Sequence, residues 1–211
     1  MFGGGCDRLL YDSRVIAAVK VIRKASFTAT PWKNGGGITH EALRVPATGD
    51  AFLFRVSVAH IDSSGPFSDF AGYTRNMVLL QGKGLALKFG DGERRVLQKI
   101  GESVEFDGAT PTCCDLLDGP CVDLNFMAHK AAQAEARVVC LDQSMTLRSS
   151  SRTTLIFSID APLSLDGDDG LAVRLEPWDL AVVSGGAARL SQIAAGDLSA
   201  PSSVFFATIT H

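Results

Sequence analysis

The chain has 211 residues, of which 46% are hydrophobic and 20% are charged, and its formal net charge is −3 at pH 7. A chain of this length and composition can bury a substantial core, which excludes intrinsic disorder as its main state. Its basic residues are scattered, which argues against a nucleic-acid partner, and no run approaches the roughly 20 apolar residues of a membrane span.

The N-terminal segment, residues 1–24, lacks the features of a secretory leader. It has no basic region at its start, its apolar run is short, and Lys20, Arg23 and Lys24 stand where a cleavage site would lie. The five cysteines include no CxxC pair, which suits a reducing compartment better than a disulfide framework. We therefore expect a cytoplasmic protein with buried, inert thiols.

Most of the remaining chain is predicted to form short β-strands. Runs rich in Val, Ile, Leu and Phe alternate with glycine-containing turns, a pattern typical of a sandwich or barrel. The best helical candidate is residues 141–150, LDQSMTLRSS, which is short and poorly patterned. The sequence therefore predicts an all-β fold.

An internal repeat refines this prediction. Residues 85–109 align without a gap with residues 163–187 at a shift of 78, and eight of the 25 aligned residues are identical. The register continues upstream, where residues 77–79 meet residues 155–157. Each copy predicts a strand, a hairpin with Asp-Gly at its corner and a further strand. This predicts a bicupin, meaning two cupin-like jelly-roll barrels, with a single larger β-sandwich as the alternative.

The repeat suggests three parts of the chain. Residues 1–29 would form an N-terminal extension with a first strand, residues 30–130 a first barrel and residues 131–211 a second, with strands allowed to exchange between the barrels. A segment dense in polar, aromatic and glycine residues, residues 30–46 followed by residues 52–82, has no counterpart before the second copy. We therefore expect the site in the first barrel.

Several uncommon blocks occur in order along the chain. They are Pro31-Trp32-Lys33-Asn34-Gly35-Gly36-Gly37-Ile38-Thr39 followed by Glu41, Phe54-Arg55-Val56-Ser57-Val58-Ala59, Gly65-Pro66-Phe67-Ser68 with Phe70, Gly72 and Arg75, Leu79-Leu80-Gln81-Gly82, and Asp123-Leu124-Asn125-Phe126-Met127. In these blocks the chain resembles the HutD/Ves family of bacterial bicupins, from about Thr30 to His211. The resemblance implies a bicupin fold and a role beside histidine utilisation, sensing or buffering an intermediate. The chain departs from the family in its N-terminal extension and in His129, where the family more often has Arg.

One predicted strand carries an arginine on a polar face. Along residues 52–60, Arg55 and Ser57 share the face opposite the phenylalanines and valines, because side chains alternate along a strand. A guanidinium there suits a carboxylate, since its planar fork can bind both oxygens. The alternative is a rim arginine paired with Glu41 or an aspartate.

A second strand, residues 122–129, alternates in the same way. Val122, Leu124 and Phe126 are expected to point inward, which leaves Asn125 on the other side with Asp123 and Met127. Asn125 offers a neutral donor and acceptor, either to a ligand or to the end of a strand.

Two loops are candidates for the rim of a pocket. Trp32, Lys33 and Asn34 precede three glycines, so an aromatic wall, a cation and converging backbone N–H groups could bind an anion, or the segment could be a flexible turn. It does not match the P-loop pattern. Ser68 lies in a loop made rigid by Pro66, which would either cap a pocket or form a packed corner.

A metal site is not expected, although many cupins have one. The four histidines, His40, His60, His129 and His211, include no HxH pair, and His40-Glu41-Ala42-Leu43-Arg44 has Arg where HExxH needs its second His. A chance trio of His40, His60 and Glu41 is the remaining metal alternative. The sequence also lacks the GxSxG motif of a nucleophilic serine, and residue spacing supports no catalytic Cys-His pair. We expect no cofactor.

These features favour a metal-free protein that binds a small carboxylate of histidine breakdown, such as urocanate or formyl- or formimino-glutamate. The expected ligand contacts are Trp32, Lys33, Asn34, Glu41, Arg55, Ser57, Ser68, Arg75 and Asn125. The second hypothesis is a hydrolase or isomerase with Glu41 or His40 as general base, and the third is an interaction protein with a vestigial pocket. We expect no nucleic-acid or membrane partner, and open edge strands would allow a homodimer.

Overall fold

The computed structural model describes residues 18–142, 144–148, 152–167, 172–185, 187–192 and 201–210. This part of the chain contains nineteen β-strands, one short 3-10 helix and no α-helix. No helix within it is long and apolar enough to cross a membrane.

The first eleven strands run from the N-terminal segment through the first barrel. They are β1 (Ala18–Ile22), β2 (Thr28–Pro31), β3 (Gly37–Val45), β4 (Phe54–Ile61), β5 (Gly65–Pro66), β6 (Tyr73–Gln81), β7 (Leu85–Phe89), β8 (Arg94–Leu97), β9 (Ser103–Asp107), β10 (Thr112–Leu116) and β11 (Cys121–His129). The 3-10 helix, Lys24–Ser26, lies between β1 and β2.

The remaining eight strands all lie in the second barrel. They are β12 (Gln133–Leu141), β13 (Ser144–Arg148), β14 (Arg152–Ser158), β15 (Leu163–Gly167), β16 (Ala172–Leu175), β17 (Leu180–Ser184), β18 (Ala187–Gln192) and β19 (Ser202–Thr210). The helical candidate at 141–150 was wrong, because β13 lies inside it. Met145 and Leu147 both pack on the core of the second barrel, so the apolar period there is two residues.

Each barrel pairs a large antiparallel sheet with a four-stranded one, and eight strands of each barrel follow the same order. The first barrel combines the order β2-β3-β4-β11-β6-β9 with β5-β10-β7-β8. The second combines β1-β17-β14-β19-β12 with β13-β18-β15-β16. Strands β4 to β11 thus correspond one by one to β12 to β19, which confirms the bicupin fold. The first strand of the described chain, β1, pairs with β17 of the second barrel.

The repeat relates the strands of the two barrels one by one, but no single alignment shift fits all of them. In the central hairpins Leu85 pairs with Leu97 and Leu163 with Leu175, as the shift of 78 requires. On the flanking strands that shift aligns Val104, which packs inside the first barrel, with Val182, which packs between the barrels. Moving a strand by one residue turns each of its side chains to the opposite face of the sheet. The true correspondence on the flanking strands therefore differs by one residue from the shift of 78. The aligned Asp169, Gly170 and Gly186 lie outside the described residues.

Three apolar clusters make the core. One fills each barrel between its own two sheets, and a third lies where the six-stranded sheet packs against the five-stranded sheet. Val122, Leu124 and Phe126 belong to this third cluster. They therefore point away from the interior of the first barrel, contrary to the expectation, and the polar face of β11 points into it.

Candidate functional site

A cavity of about 620 Å³ lies inside the first barrel, between the six-stranded sheet and the loops at residues 32–34 and 66–70. All nine expected ligand contacts line it, and they are Trp32, Lys33, Asn34, Glu41, Arg55, Ser57, Ser68, Arg75 and Asn125. Strands β3, β4, β6 and β11 supply the floor, and the two loops supply the walls. The fold therefore brings together side chains separated by more than 90 residues of sequence.

Two arginines dominate the floor of this cavity. Arg55 on β4 and Arg75 on β6 are both paired across the sheet with Met127 on β11, which lies between the two strands. Arg75 is only 5% exposed, and its Nη2 donates a hydrogen bond to Asn125 Oδ1 at 2.8 Å. Arg55 Nη2 contacts Met127 Sδ at 3.6 Å. Both guanidiniums therefore lie on the interior face of the sheet.

Phenylalanine rings surround the two guanidiniums. Phe70 packs against both, with its ring centroid 5.1 Å from Cζ of Arg55 and 5.5 Å from Cζ of Arg75. The other rings are Phe52 beside Arg55 and Phe67 and Phe106 beside Arg75. The faces of these rings carry partial negative charge, which attracts a cation but does not supply the hydrogen-bond acceptors that it needs.

The two cations remain incompletely satisfied. Within the described residues neither forms a salt bridge, and the Nε atoms of both are buried without a hydrogen-bond partner. Burial lowers the pKa of Arg75 to about 10, while Asp123 raises it and Arg55 lowers it further. Burial also lowers the pKa of Arg55. Both guanidiniums are charged at neutral pH, and an anionic ligand would offset the cost of their desolvation.

Asp123 is a site residue that the sequence prediction missed. It lines the cavity from β11, its side chain is fully buried, and its Oδ2 accepts a hydrogen bond from Asn125 Nδ2. Its Oδ1 has no hydrogen-bond partner among the residues that the structure describes. Burial raises its pKa to about 7, although Arg75 and a backbone hydrogen bond oppose this. Asp123, Asn125 and Arg75 therefore form a hydrogen-bonded chain from a titratable carboxyl to a guanidinium.

Glu41 lies at the more exposed side of the cavity and does not pair with Arg55. Its Oε2 is 3.3 Å from Nε of Arg44 on the same strand. A register shift in β3 between Glu41 and Leu43 accompanies this contact, and Glu41 stands opposite Ser57 on β4. The alternative in which Arg55 is a rim residue paired with Glu41 is therefore not what the structure shows.

The loop that contains the three glycines forms a closed turn rather than an anion nest. Gly35 N donates to the Trp32 carbonyl at 3.0 Å, and Gly36 N donates to Asn34 Oδ1 at 3.0 Å. These two N–H groups and the Asn34 oxygen are therefore engaged inside the loop. Trp32 is fixed by a hydrogen bond from Nε1 to Thr39 Oγ1 at 2.8 Å. The loop thus offers a ligand the Trp32 ring and the Lys33 ammonium.

The second loop is held against the four-stranded sheet. Phe67 N donates to the Thr112 carbonyl and Phe70 N to the Gly108 carbonyl, both at 2.9 Å. Phe67 also meets the Trp32 ring edge to face at 6.5 Å between centroids. Ser68 is exposed between these two anchored residues. Both interpretations of this segment apply, because it is a packed corner and it lines the cavity.

His40 and Glu41 cannot serve one substrate together, because neighbouring residues on a strand point to opposite faces. Glu41 faces the barrel cavity, whereas His40 faces the second barrel, where its ring lies 5.1 Å from that of His60. The trio of His40, His60 and Glu41 is therefore not assembled. Across the described residues, no three His, Cys, Asp or Glu side chains come close enough to bind a metal ion.

The second barrel lacks the polar floor. Asn125 pairs with Met77 on β6, and the corresponding pair in the second barrel is Phe206 with Ile156. Asp123 corresponds in the same way to Val204. Val204 and Phe206 are buried in the apolar core of that barrel. The charged cavity therefore belongs to the first barrel alone among the parts that the structure describes.

Comparisons with known proteins agree with this architecture. A family model described as HutD matches residues 24–200. An uncharacterized 21.2 kDa protein in the hutC 3′ region of Pseudomonas putida is 33% identical over 165 residues, which cover 78% of this chain and 86% of that one.

Solved structures show the same fold. A conserved protein of unknown function from Pseudomonas aeruginosa PAO1 superposes with a TM-score of 0.82 at 26% identity, covering 92% of this chain and 100% of that one. HutD from Pseudomonas fluorescens SBW25, in a formate condition, gives 0.75 at 29% identity with the same coverage. Bacillus subtilis oxalate decarboxylase, at 8% identity and a TM-score of 0.58, covers 90% of this chain and 76% of that one and shares the fold alone.

Proposed function

The chain belongs to the HutD family, which is linked to the histidine-utilisation locus, and we propose that its first barrel binds a small carboxylate of histidine breakdown without a metal ion. One observation carries this proposal. The buried guanidinium of Arg75 and the half-buried guanidinium of Arg55 share one aromatic-lined cavity, and neither forms a salt bridge with a carboxylate of the described residues. A buried cation without a counter-ion is costly, and a ligand carboxylate would supply the missing acceptors.

The spacing of the two arginines limits the ligand. Their strands are separated by β11, which places the two Cα atoms about 10 Å apart. From that distance the guanidinium groups of Arg55 and Arg75 can bind one carboxylate together or one carboxylate each. Formyl- or formimino-glutamate, with two carboxylates, uses both cations. Urocanate uses one carboxylate and presents a flat ring to Trp32 or Phe67.

A role in sensing or buffering follows from what such a cavity does. Binding without conversion removes free ligand and stabilises the folded protein increasingly as ligand concentration rises above the dissociation constant. The link of the family to the histidine-utilisation locus supports an intermediate of that pathway as the ligand. The protein would then report or limit the level of this intermediate.

Hydrolysis or isomerisation of the same acid is the second candidate function, and Asp123 is the observation that favours it. A carboxyl whose pKa is raised to about 7 can both accept and donate a proton near neutral pH. Asp123 lines the cavity beside Asn125, so a bound acid would lie near it. Glu41, at the more exposed side of the cavity, is the other candidate base.

Calorimetric titration with formylglutamate and urocanate tests the proposal, and methyl urocanate is the matched ligand that keeps the ring and loses the charge. We expect saturable binding of at least one acid and at least tenfold weaker binding of the ester. Proton NMR of each mixture, followed over hours, separates the two candidate functions. Product formation supports the enzyme, and an unchanged acid at full occupancy supports the binding protein. Absence of binding by all of these acids contradicts both.

A further inference from the structure

A second cavity, of about 770 Å³, lies between the two barrels. Its walls come from three places in the chain: the connection between β1 and β2, the outer face of β3 and β4, and the turn between β16 and β17. His40 and His60 line it from the first barrel, and Trp178 lines it from the second. The proposed carboxylate site uses none of these residues.

Asp179 fixes the part of the cavity wall that comes from the second barrel. This buried carboxylate accepts a hydrogen bond from Lys24 N at 2.9 Å, from Arg23 Nη1 at 2.7 Å and from Glu176 N at 3.0 Å. The N-terminal connection and the β16–β17 turn are thereby tied to one side chain. The cavity therefore has defined walls from both barrels.

Trp178 occupies this turn at a conformational cost. Its φ of 74° is the one positive value at a non-glycine residue in the described chain. The corresponding β8–β9 turn of the first barrel has Gly101 at φ 85°, again directly before an acidic residue that accepts N–H groups of the turn. Glycine takes this conformation freely, whereas a residue with a Cβ atom adopts it only with steric strain. A tryptophan held in this conformation at the wall of a cavity indicates that the indole is needed there.

The lining combines aromatic rings with one exposed lysine. Phe27, His40, His60 and Trp178 supply four rings, and burial together with the neighbouring His40 lowers the pKa of His60. Arg23 is paired with Asp179 and Arg174 with Glu176. Lys24 lies with Nζ 3.8 Å from the centroid of the Trp178 ring, and no carboxylate in the described residues pairs with it.

We propose that this inter-barrel cavity is a second ligand site, which takes a small aromatic monocarboxylate. The Lys24 ammonium binds the carboxylate, and the ring of the ligand packs among His40, His60 and Phe27. Arg23 and Arg174 are already paired, so Lys24 is the lining cation of the described chain that remains available to one negative charge. The largely apolar remainder of the lining favours an apolar body. The aromatic walls favour a flat ring over an aliphatic chain.

The chain offers a direct optical test, because it has two tryptophans and each lines a different cavity. In a Trp32→Phe background, all tryptophan emission comes from Trp178. The probe is 3-phenylpropionate, and its amide is the uncharged control. We expect a saturable change in emission with 3-phenylpropionate and at least tenfold weaker binding of the amide.

Variants in the same background assign the site. Lys24→Met keeps the apolar stem and removes the charge, so we expect at least tenfold weaker binding of 3-phenylpropionate. Lys20→Met, an exposed lysine of β1 outside the cavity lining, is the matched control and should bind as the background protein does. Unchanged affinity in Lys24→Met, or no saturable emission change in the background protein, overturns the proposal.

Arg55→Met separates this site from the barrel cavity. It removes a cation of the proposed carboxylate site and leaves the inter-barrel walls intact, so binding of 3-phenylpropionate should persist. Loss of that binding in Arg55→Met would mean that the barrel cavity takes the probe, which also overturns the proposal. Failure of the second site therefore leaves the proposed function of the first untouched.

Discussion

Arg55 and Arg75 stand in one row across the six-stranded sheet, on either side of Met127, with which both are paired. Their side chains leave the same face of the sheet because directly opposed residues in adjacent strands share a face. Met127 is buried between them and provides no negative charge. The row therefore keeps two like charges in one enclosed space, an arrangement that an anion stabilises.

Replacing Arg55 by Met should weaken carboxylate binding by about 2 to 5 kcal/mol, the range for removing one partner of a buried charged contact. The free energy of unfolding should fall much less, since Met fills the stem volume and no ion pair within the described chain is broken. Calorimetry with the acid that binds the wild type measures the affinity.

Arg94→Met is the matched control for this change. Arg94 is an exposed residue of β8, outside the cavity lining, so the variant should bind as the wild type does. Equal affinity of Arg55→Met and the wild type would make Arg55 a structural residue and contradict the proposed function.

Asp123 should make carboxylate affinity depend on pH. Because its pKa is about 7, it is mainly neutral below that pH and increasingly negative above it. An ionised Asp123 neutralises Arg75 and repels the ligand, so affinity should fall as pH rises from about 6 to about 8. Asp123→Asn stays neutral, and its affinity should change much less over this interval. Parallel pH profiles of the two proteins would show that Asp123 does not affect the ligand.

The same carboxyl should affect folding stability with a defined sign. Its pKa is higher in the folded than in the unfolded state, so the folded protein binds the proton more tightly. The stabilisation is fully present below the ordinary Asp pKa and is lost as pH rises through about 7. Each unit of pKa difference corresponds to about 1.4 kcal/mol. Urea unfolding between pH 4 and 8 should show this loss in the wild type and a smaller one in Asp123→Asn, since other carboxyls titrate equally in both.

Alternation along single strands predicted much of the site. It placed Arg55 with Ser57 and Asn125 with Asp123 on the correct shared faces. It could not show which face was interior, because the packing of one barrel against the other gives the apolar face of β11 its burial. For the same reason the buried carboxyl of Asp123 was missed, since its burial depends on strands far away in sequence.

Other errors had a signal in the sequence. His40 and Glu41 are adjacent on one strand, so alternation alone separates them. The repeat shift of 78 fits the central hairpin, but the connection before β17 has four residues where that before β9 has five. A one-residue difference in a loop reverses the faces of the following strand, and an ungapped alignment conceals it.

Elemental analysis of the purified protein should find no stoichiometric transition metal. The sequence lacks three ligands at cupin spacing, and the described residues hold no cluster of three metal-ligating side chains. One Zn, Fe, Mn or Ni per chain that a chelator removes together with ligand binding would contradict this prediction.

Gly37 should be intolerant of a side chain, because it lies where β3 packs closely against β4. A Cβ atom at this position would lie 2.2 Å from the His60 carbonyl oxygen, which belongs to the paired strand and cannot rotate away. Gly37→Ala should therefore force the strands apart and lower the free energy of unfolding by about 1 to 3 kcal/mol, the usual cost of overpacking.

Gly65→Ala is the matched control, since no atom lies within 4 Å of its added Cβ and its φ is not positive. Urea unfolding of both variants decides the matter. Because Trp32 and Thr39 flank Gly37 on one side of the sheet and His40 on the other, the displacement should also weaken ligand binding in both cavities. Equal stability of the two variants would show that β3 and β4 can separate at no cost.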